Sequence, residues 1–216
     1  MQGAFVAFQV VAIWLVTDFL SGFFHWLEDA YGNPFWPLFG RHVTKPNILH
    51  HYIPRAFVTN SWFLSSRLLL LICALIVTTT LALGVFNWMV ALAVVLGVNA
   101  NQVHKWSHRT REENGRFVTL LQRVKLVQSP SHHHRHHSHG KDSHYCVLTD
   151  FLNPILDRTR FWRGLEWCIE RIVGVRRRND EAMALEVLAR EPEFFGEHLG
   201  LMLRRAGGNR LNQVAL

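Results

Sequence analysis

What this 216-residue chain has little of narrows its reading first. It has three cysteines (Cys73, Cys146 and Cys168), an odd number without paired spacing. No disulfide framework is expected, and a reducing compartment suits the chain. It has no glycine-rich phosphate cradle, no serine nucleophile elbow and no internal repeat. Those absences remove nucleotide-loop, serine-hydrolase and repeat-array readings. Basic residues are missing from residues 1–40, and residues 43–103 carry only Lys45, Arg55 and Arg67. The formal net charge of +7 therefore belongs mainly to the second half. A basic protein usually suggests nucleic acid. Here the basic half is fused to apolar spans, so an anionic membrane surface is the expected partner and nucleic acid is not.

The apolar runs set the architecture. Residues 3–20 are almost wholly apolar up to Asp18, and 19–26 continue the run. No positive region precedes it and no small-residue cleavage site follows, so it reads as a first membrane span rather than a signal peptide. In helical register Asp18, Gly22, His25 and Asp29 share a face, a polar stripe that is costly in lipid and usually functional; the plainer alternative is that Asp18 caps a helix near the interface. Residues 31–54 hold Gly32, Pro34, Pro37, Gly40, Pro46 and Pro54, which exclude a long regular helix. Phe35, Trp36 and Phe39 suit a headgroup-level segment. Residues 62–83 give the strongest span, 84–87 an uncharged turn, and Trp88–Val98 a return arm, each arm read as one crossing. This hairpin brings residue 104 back to the side from which Trp62 entered, and the positive-inside rule places that side in the cytoplasm. Amphipathic helices are expected over 117–128 and Phe161–Val173. The expected fold class is an all-α integral membrane protein with about three to four spans. A membrane domain over 1–178 is followed by a charged, helix-prone tail over 179–216 that ends in Gly-Gly-Asn.

Within this frame the histidines are grouped. Seven of the fourteen lie in 129–146, S-P-S-H-H-H-R-H-H-S-H-G-K-D-S-H-Y-C. A purification tag would be terminal and uniform; this tract is internal and interrupted by Arg135 and Ser138. His50 and His51 are adjacent, and His104 and His108 stand four apart, a spacing that puts both on one helix face. Eight of them (His25, His50, His51, His104, His108, His133, His136 and His137) outnumber what one ion holds. Two ions with about four imidazoles each would keep positions open for water or oxygen. Such a nitrogen-rich, open site points to oxygen-activating iron more than to structural zinc, while hydrolysis by a zinc-bound water stays open as an alternative. A transporter would place such ligands inside its spans, and here they sit at span ends.

The four boxes carry a resemblance. D18-F-L-S-G-F-F-H25-W, H50-H51-Y-I-P54, H104-K-W-S-H108 and H133-H-R-H136-H137, followed by Y145-C146 and L152-N153, resemble the plasmanylethanolamine desaturase family, which includes the plastid desaturase acting on palmitate in phosphatidylglycerol. The likeness covers about 16–176. It implies an O2-dependent membrane lipid desaturase with two iron ions held by the eight histidines. It also implies a membrane phospholipid substrate and an external electron-transfer protein of cytochrome b5 or ferredoxin type. The family's third box maps onto His133, His136 and His137. His132 matches a histidine of the animal enzymes and is expected to support the ligands, as is Asp29 one turn beyond His25. His134 and His139 have no counterpart. Gly140-Lys141 replaces a Pro-His pair of the animal pattern.

Overall fold

The computed structural model describes residues 2–138 and 141–207. The described residues form eleven α-helices, a π turn over Gly40–Thr44 and a 3-10 helix over Pro192–His198, with no strand among them. The chain divides into two compact units. One holds Val58–Thr159 together with the chain up to His25; the other holds Trp26–Phe57 and the chain from Arg160 onward. Helix α1 (Gln2–Tyr31) runs through the point of division.

In the first unit the expected hairpin is present. Helix α3 (Trp62–Ala82) starts at Ser61, whose hydroxyl accepts the Leu64 amide. Beyond its end Gly84 takes φ 67, a left-handed conformation that costs glycine little. Asn87 then caps α4 (Trp88–Val98), its Oδ1 accepting from the Met89 and Val90 amides. The return arm differs from expectation. Helix α4 has 11 residues, which span about 16 Å at 1.5 Å each, so α4 alone is not a crossing helix. The chain breaks at Asn99 and resumes as α5 (Ala100–Ser107). Asn99 is held at that break from two sides: its amide donates to the Val95 carbonyl, and its Oδ1 accepts from the Trp62 indole at 3.0 Å. Lys105 reaches back to the carbonyl of Asn60 at 2.6 Å, so the hairpin does return α5 to the start of α3. Among the described residues two helices, α1 and α3, are long and apolar enough to cross a membrane.

Helix α6 (Arg111–Arg123) opens with a capping box between Thr110 and Glu113 and bends at Gly115. It stops at Arg123 rather than Gln128, because Lys125 takes φ 60 and turns the chain. Its buried residues are Val118 and Gln122, while Phe117, Leu120 and Val124 face outward. A small apolar core of Ala100, Val103, Val127, Val147 and Leu148 lies under it. Helix α7 (Pro130–Ser138) and the short α8 (Asn153–Arg158) complete this unit.

The second unit has its own apolar core. Helix α2 (Lys45–Tyr52), α10 (Asp180–Arg190), the 3-10 turn and α11 (Leu199–Gly207) share a core of Ile48, Ile53, Ala184, Val187, Leu188, Phe195, Met202 and Ala206. The charged C-terminal stretch is thus helical, as its composition suggests, and its apolar side is covered. The Gly-Gly-Asn run continues beyond the described residues. Helix α9 (Phe161–Val173) has the expected bounds and buries Trp162 against Trp26, with ring centroids 5.7 Å apart. Its other apolar residues stay largely open, Ile172 at 83% exposure. Arg178 ties the end of α1 to this unit by donating to the Gly32 carbonyl.

Candidate metal centre

In the first unit the sequence delivers six imidazoles from three elements. His25 comes from α1 and lies on its buried stripe. Asp18 and Gly22 on that stripe are also buried, and both are used. Asp18 accepts from the Leu148 amide at 2.9 Å and from the Thr149 hydroxyl, so it fastens α1 to the loop after the histidine tract instead of capping a helix. A Cβ at Gly22 would stand 2.5 Å from Cys146 Sγ, so only glycine permits that approach. His104 lies on α5, and His108 closes its C-terminus. His133, His136 and His137 come from α7, whose start is fixed by Ser129: its hydroxyl accepts the His132 amide, and Asp150 accepts the Ser129 amide and hydroxyl. Positions i, i+3 and i+4 put the three ligand candidates on one face and leave His134 exposed.

The ring nitrogens converge. Nε2 of His133 lies 2.9 Å from Nε2 of His104 and 3.2 Å from Nε2 of His137, and Nε2 of His108 lies 3.3 Å from that of His104. Nitrogens bound to one ion at about 2.1 Å stand roughly 3.0 Å apart in an octahedron and roughly 3.4 Å in a tetrahedron. The four imidazoles therefore fit one metal ion in spacing and donor type; all their donor atoms fall within 4.8 Å of one another. His25 and His136 form a second pair, with ring centroids 4.5 Å apart. Both tautomers are fixed by backbone carbonyls, which only accept. Nδ1 of His25 donates to Tyr145 O at 3.0 Å, and Nδ1 of His136 donates to Ser143 O at 2.7 Å. Each Nε2 is left unprotonated, the form a metal binds. Burial, reinforced by the neighbouring imidazoles, holds His104, His133 and His136 well below the ordinary histidine range. At neutral pH these rings are uncharged, as ligands must be.

The second unit holds His50 and His51 on α2, both buried. His51 Nε2 lies 3.4 Å from Asp29 Oδ1, which also accepts from Asn47 at 2.6 Å. His51 Nδ1 lies 3.8 Å from Asp180, and the His50 ring stands edge-on to Phe57. Asp29 is fully buried, and the Tyr145 carbonyl orients His25. His132 stands apart from the converging nitrogens. Its Nε2 accepts from Asn153 at 3.2 Å, and burial lowers its pKa despite Asp150 nearby. His42 is exposed in the π turn, and His198 lies at the end of the 3-10 helix. His139 and Gly140 fall outside the described residues.

Sequence reasoning missed the groups that aim the rings: the carbonyls of Ser143 and Tyr145, and the side chains of Asp150, Asn153 and Asp157. The only trace was the Tyr-Cys and Leu-Asn pairs of the resemblance, because backbone carbonyls leave no mark in residue identity.

Known proteins bear on this geometry. No solved structure matches the chain. A probable fatty acid desaturase of Acanthamoeba polyphaga mimivirus is 31% identical over 176 residues, 80% of this chain and 86% of that protein. Plasmanylethanolamine desaturase 1 of Mus musculus is 31% identical over 189 residues, covering 82% of this chain and 69% of the mouse protein. The plasmanylethanolamine desaturase of Myxococcus xanthus is 29% identical over 175 residues, 78% and 62% of the two chains. The lipid desaturase domain profile matches residues 14–180, which include all eight boxed histidines and the apolar hairpin. With that much of its length matched, the chain belongs to the lipid desaturase family.

Proposed function

We propose that this oxidoreductase introduces the vinyl-ether double bond of an alkyl ether phospholipid, converting plasmanylethanolamine to plasmenylethanolamine, at a centre of two iron ions. The lipid desaturase activity itself follows from the family. The observation that carries the metal assignment is the convergence of four imidazole nitrogens at 2.9 to 3.3 Å in one unit. The ligands proposed are His25, His104, His108, His133, His136 and His137, with His50 and His51 added on the sequence pattern. Asp29 and His132 are proposed to support ligands without replacing them.

Iron held there would supply O2-dependent dehydrogenation: two hydrogens leave adjacent carbons, and O2 becomes two waters with two further electrons from an external donor. The chain's own part is positional. The carbonyls of Ser143 and Tyr145 keep His136 and His25 in the metal-binding tautomer. Burial of His133 and His136 keeps water from those rings. The donor is proposed to be a cytochrome b5 or ferredoxin type of protein.

The choice of an ether lipid rests on the named relatives from mouse and Myxococcus xanthus. The mimivirus relative, at the same identity as the mouse protein, favours a second reading as a fatty-acyl desaturase. Lipid mass spectrometry of cells lacking plasmalogen synthesis, with and without the protein, decides between them. Vinyl-ether phospholipid is expected; new acyl double bonds with no vinyl ether would overturn the ether reading.

For topology, we propose that α4 and the start of α5 together make the return crossing, giving three spans with the histidines on the cytoplasmic side. The proposed catalytic domain is 1–178, supported by the matched 14–180, with 179–216 appended to it. An Asn87→Cys variant in a Cys168→Ser background should label with an impermeant thiol reagent in intact cells. An Asn179→Cys variant labelling in its place would invert the arrangement.

A further inference from the structure

The loop that aims two of the imidazoles is itself held in an unusual conformation. His144 lies between Ser143 and Tyr145, whose carbonyls accept from His136 and His25. Its backbone sits at φ 59, the left-handed region that a β-carbon disfavours. A residue stays there only when its surroundings over-determine it. The surroundings here centre on one carboxylate, with the Ser143 hydroxyl 3.0 Å from His144 Nδ1 beside it. Asp157 Oδ2 lies 2.9 Å from His144 Nδ1, and the two carboxylate oxygens accept the His144 amide at 3.3 and 3.4 Å. Side chain and backbone of the same strained residue are thus gripped by one group.

Asp157 is well placed for this. It lies four residues after Asn153 on α8, so the two project from one face. Asn153 Oδ1 accepts the Cys146 amide at 2.9 Å and its amide donates to the Cys146 carbonyl at 2.8 Å. One helix face therefore pins residue 144 and residue 146. The two ring-aiming carbonyls flank the first pinned residue. The His144 ring also lies against His132, centroids 5.0 Å apart, and His132 is bonded to the same Asn153.

We infer that His144 and Asp157 form a positioning pair for the His25 and His136 imidazoles, acting through the Ser143 and Tyr145 carbonyls. This rests on the reading of those two histidines as iron ligands. The pair does not touch the quartet of His104, His108, His133 and His137, so its loss should loosen iron held by His25 and His136 and spare iron held by the quartet.

The test uses the full chain in detergent, loaded with ferrous iron without oxygen and then challenged with a graded chelator. The variants are Asp157→Asn, which keeps shape and removes charge, and His144→Asn, which tolerates a left-handed backbone better than most residues. Exposed His134→Ala is the control. In both variants one iron should be stripped at a chelator concentration roughly 10–100-fold lower than in the wild type, the usual cost of losing an orienting partner. The other iron should behave as in the wild type. The metal-free variants should still unfold in one cooperative transition, as the control does, and Asp157→Glu should restore part of the loss. If both irons stay as tight as in the wild type, if both loosen equally, or if neither variant folds, the pairing with His25 and His136 is wrong. A wild-type chain that takes up no iron overturns the proposed function as well, which separates the two failures.

Discussion

The two units differ in what they expose and what they bury. The first is apolar outside and polar inside: Leu71 and Leu75 on α3 are 70% and 66% exposed, while Asp18, His133, His136 and Asn153 are at 0%. The second has an apolar core of Ala184, Val187, Phe195 and Met202, and beside it buries Asp29, Lys45, His50 and His51. In water the first pattern would be costly on both counts, since exposed leucine forfeits hydrophobic burial and each buried polar group must find a partner. In lipid the outer surface costs nothing, and polar groups are forced inward. The polar interior is then available for ligands, and six of the eight boxed histidines lie in this unit. The second unit draws part of its stability from apolar packing and holds the other two boxed histidines, His50 and His51, buried on α2.

That contrast can be broken experimentally. The largest effect should come from the polar interior. His133→Ala or His136→Ala opens a ligand position in a buried site and should lower unsaturated lipid formation more than about 100-fold, beyond the loss typical of orienting partners. Alanine at His25, His50, His51, His104, His108 or His137 should do the same. His134→Ala, His42→Ala and His198→Ala should keep most activity, measured as product lipid per expressed protein in cells lacking the enzyme; His139, outside the described residues, is expected from sequence to behave like His134. Full activity in two or more boxed variants would undo the ligand assignment.

A smaller effect of a different kind is expected from the apolar core of the second unit. Met202→Ala should destabilise by about 2–5 kcal/mol, the range for emptying a buried aliphatic site. Iron per folded chain should not change. Loss of iron without loss of stability would show that this core also sets the positions of His50 and His51 on α2. The smallest effect belongs to the joint between α1 and the loop after the histidine tract. Asp18→Ala strands the buried amide of Leu148 and the hydroxyl of Thr149, costing about 1–3 kcal/mol for an unsatisfied buried donor. Thermal unfolding in detergent reads this directly, and a midpoint equal to the wild type would mean that Asp18 is not holding the loop.

Much of the site was legible in residue identity. The stripe of Asp18, Gly22, His25 and Asp29 follows from helical spacing, and all four are buried in α1. The α7 face follows from the spacing of His133, His136 and His137. The bounds of α9 followed from its apolar period. What escaped was governed by backbone detail. The early end of α6 depends on Lys125 adopting a left-handed turn, which lysine's propensities do not announce. The break at Asn99 depends on a bond to Trp62, 37 positions earlier. The contact of Asp29 with His51 joins residues 22 positions apart, which helical spacing does not announce. The grouping of eight histidines came from their clustering, and their number and type favoured iron while leaving zinc open; the resemblance added the desaturase reading.

Metal content decides the matter most directly. Protein purified in detergent from iron-replete cells, with elemental analysis referred to quantified chain, should hold about two irons per chain and little zinc, because the histidines outnumber the about four ligands that one ion takes. One tightly held zinc per chain with no iron would contradict the assignment of these histidines to an oxygen-activating centre.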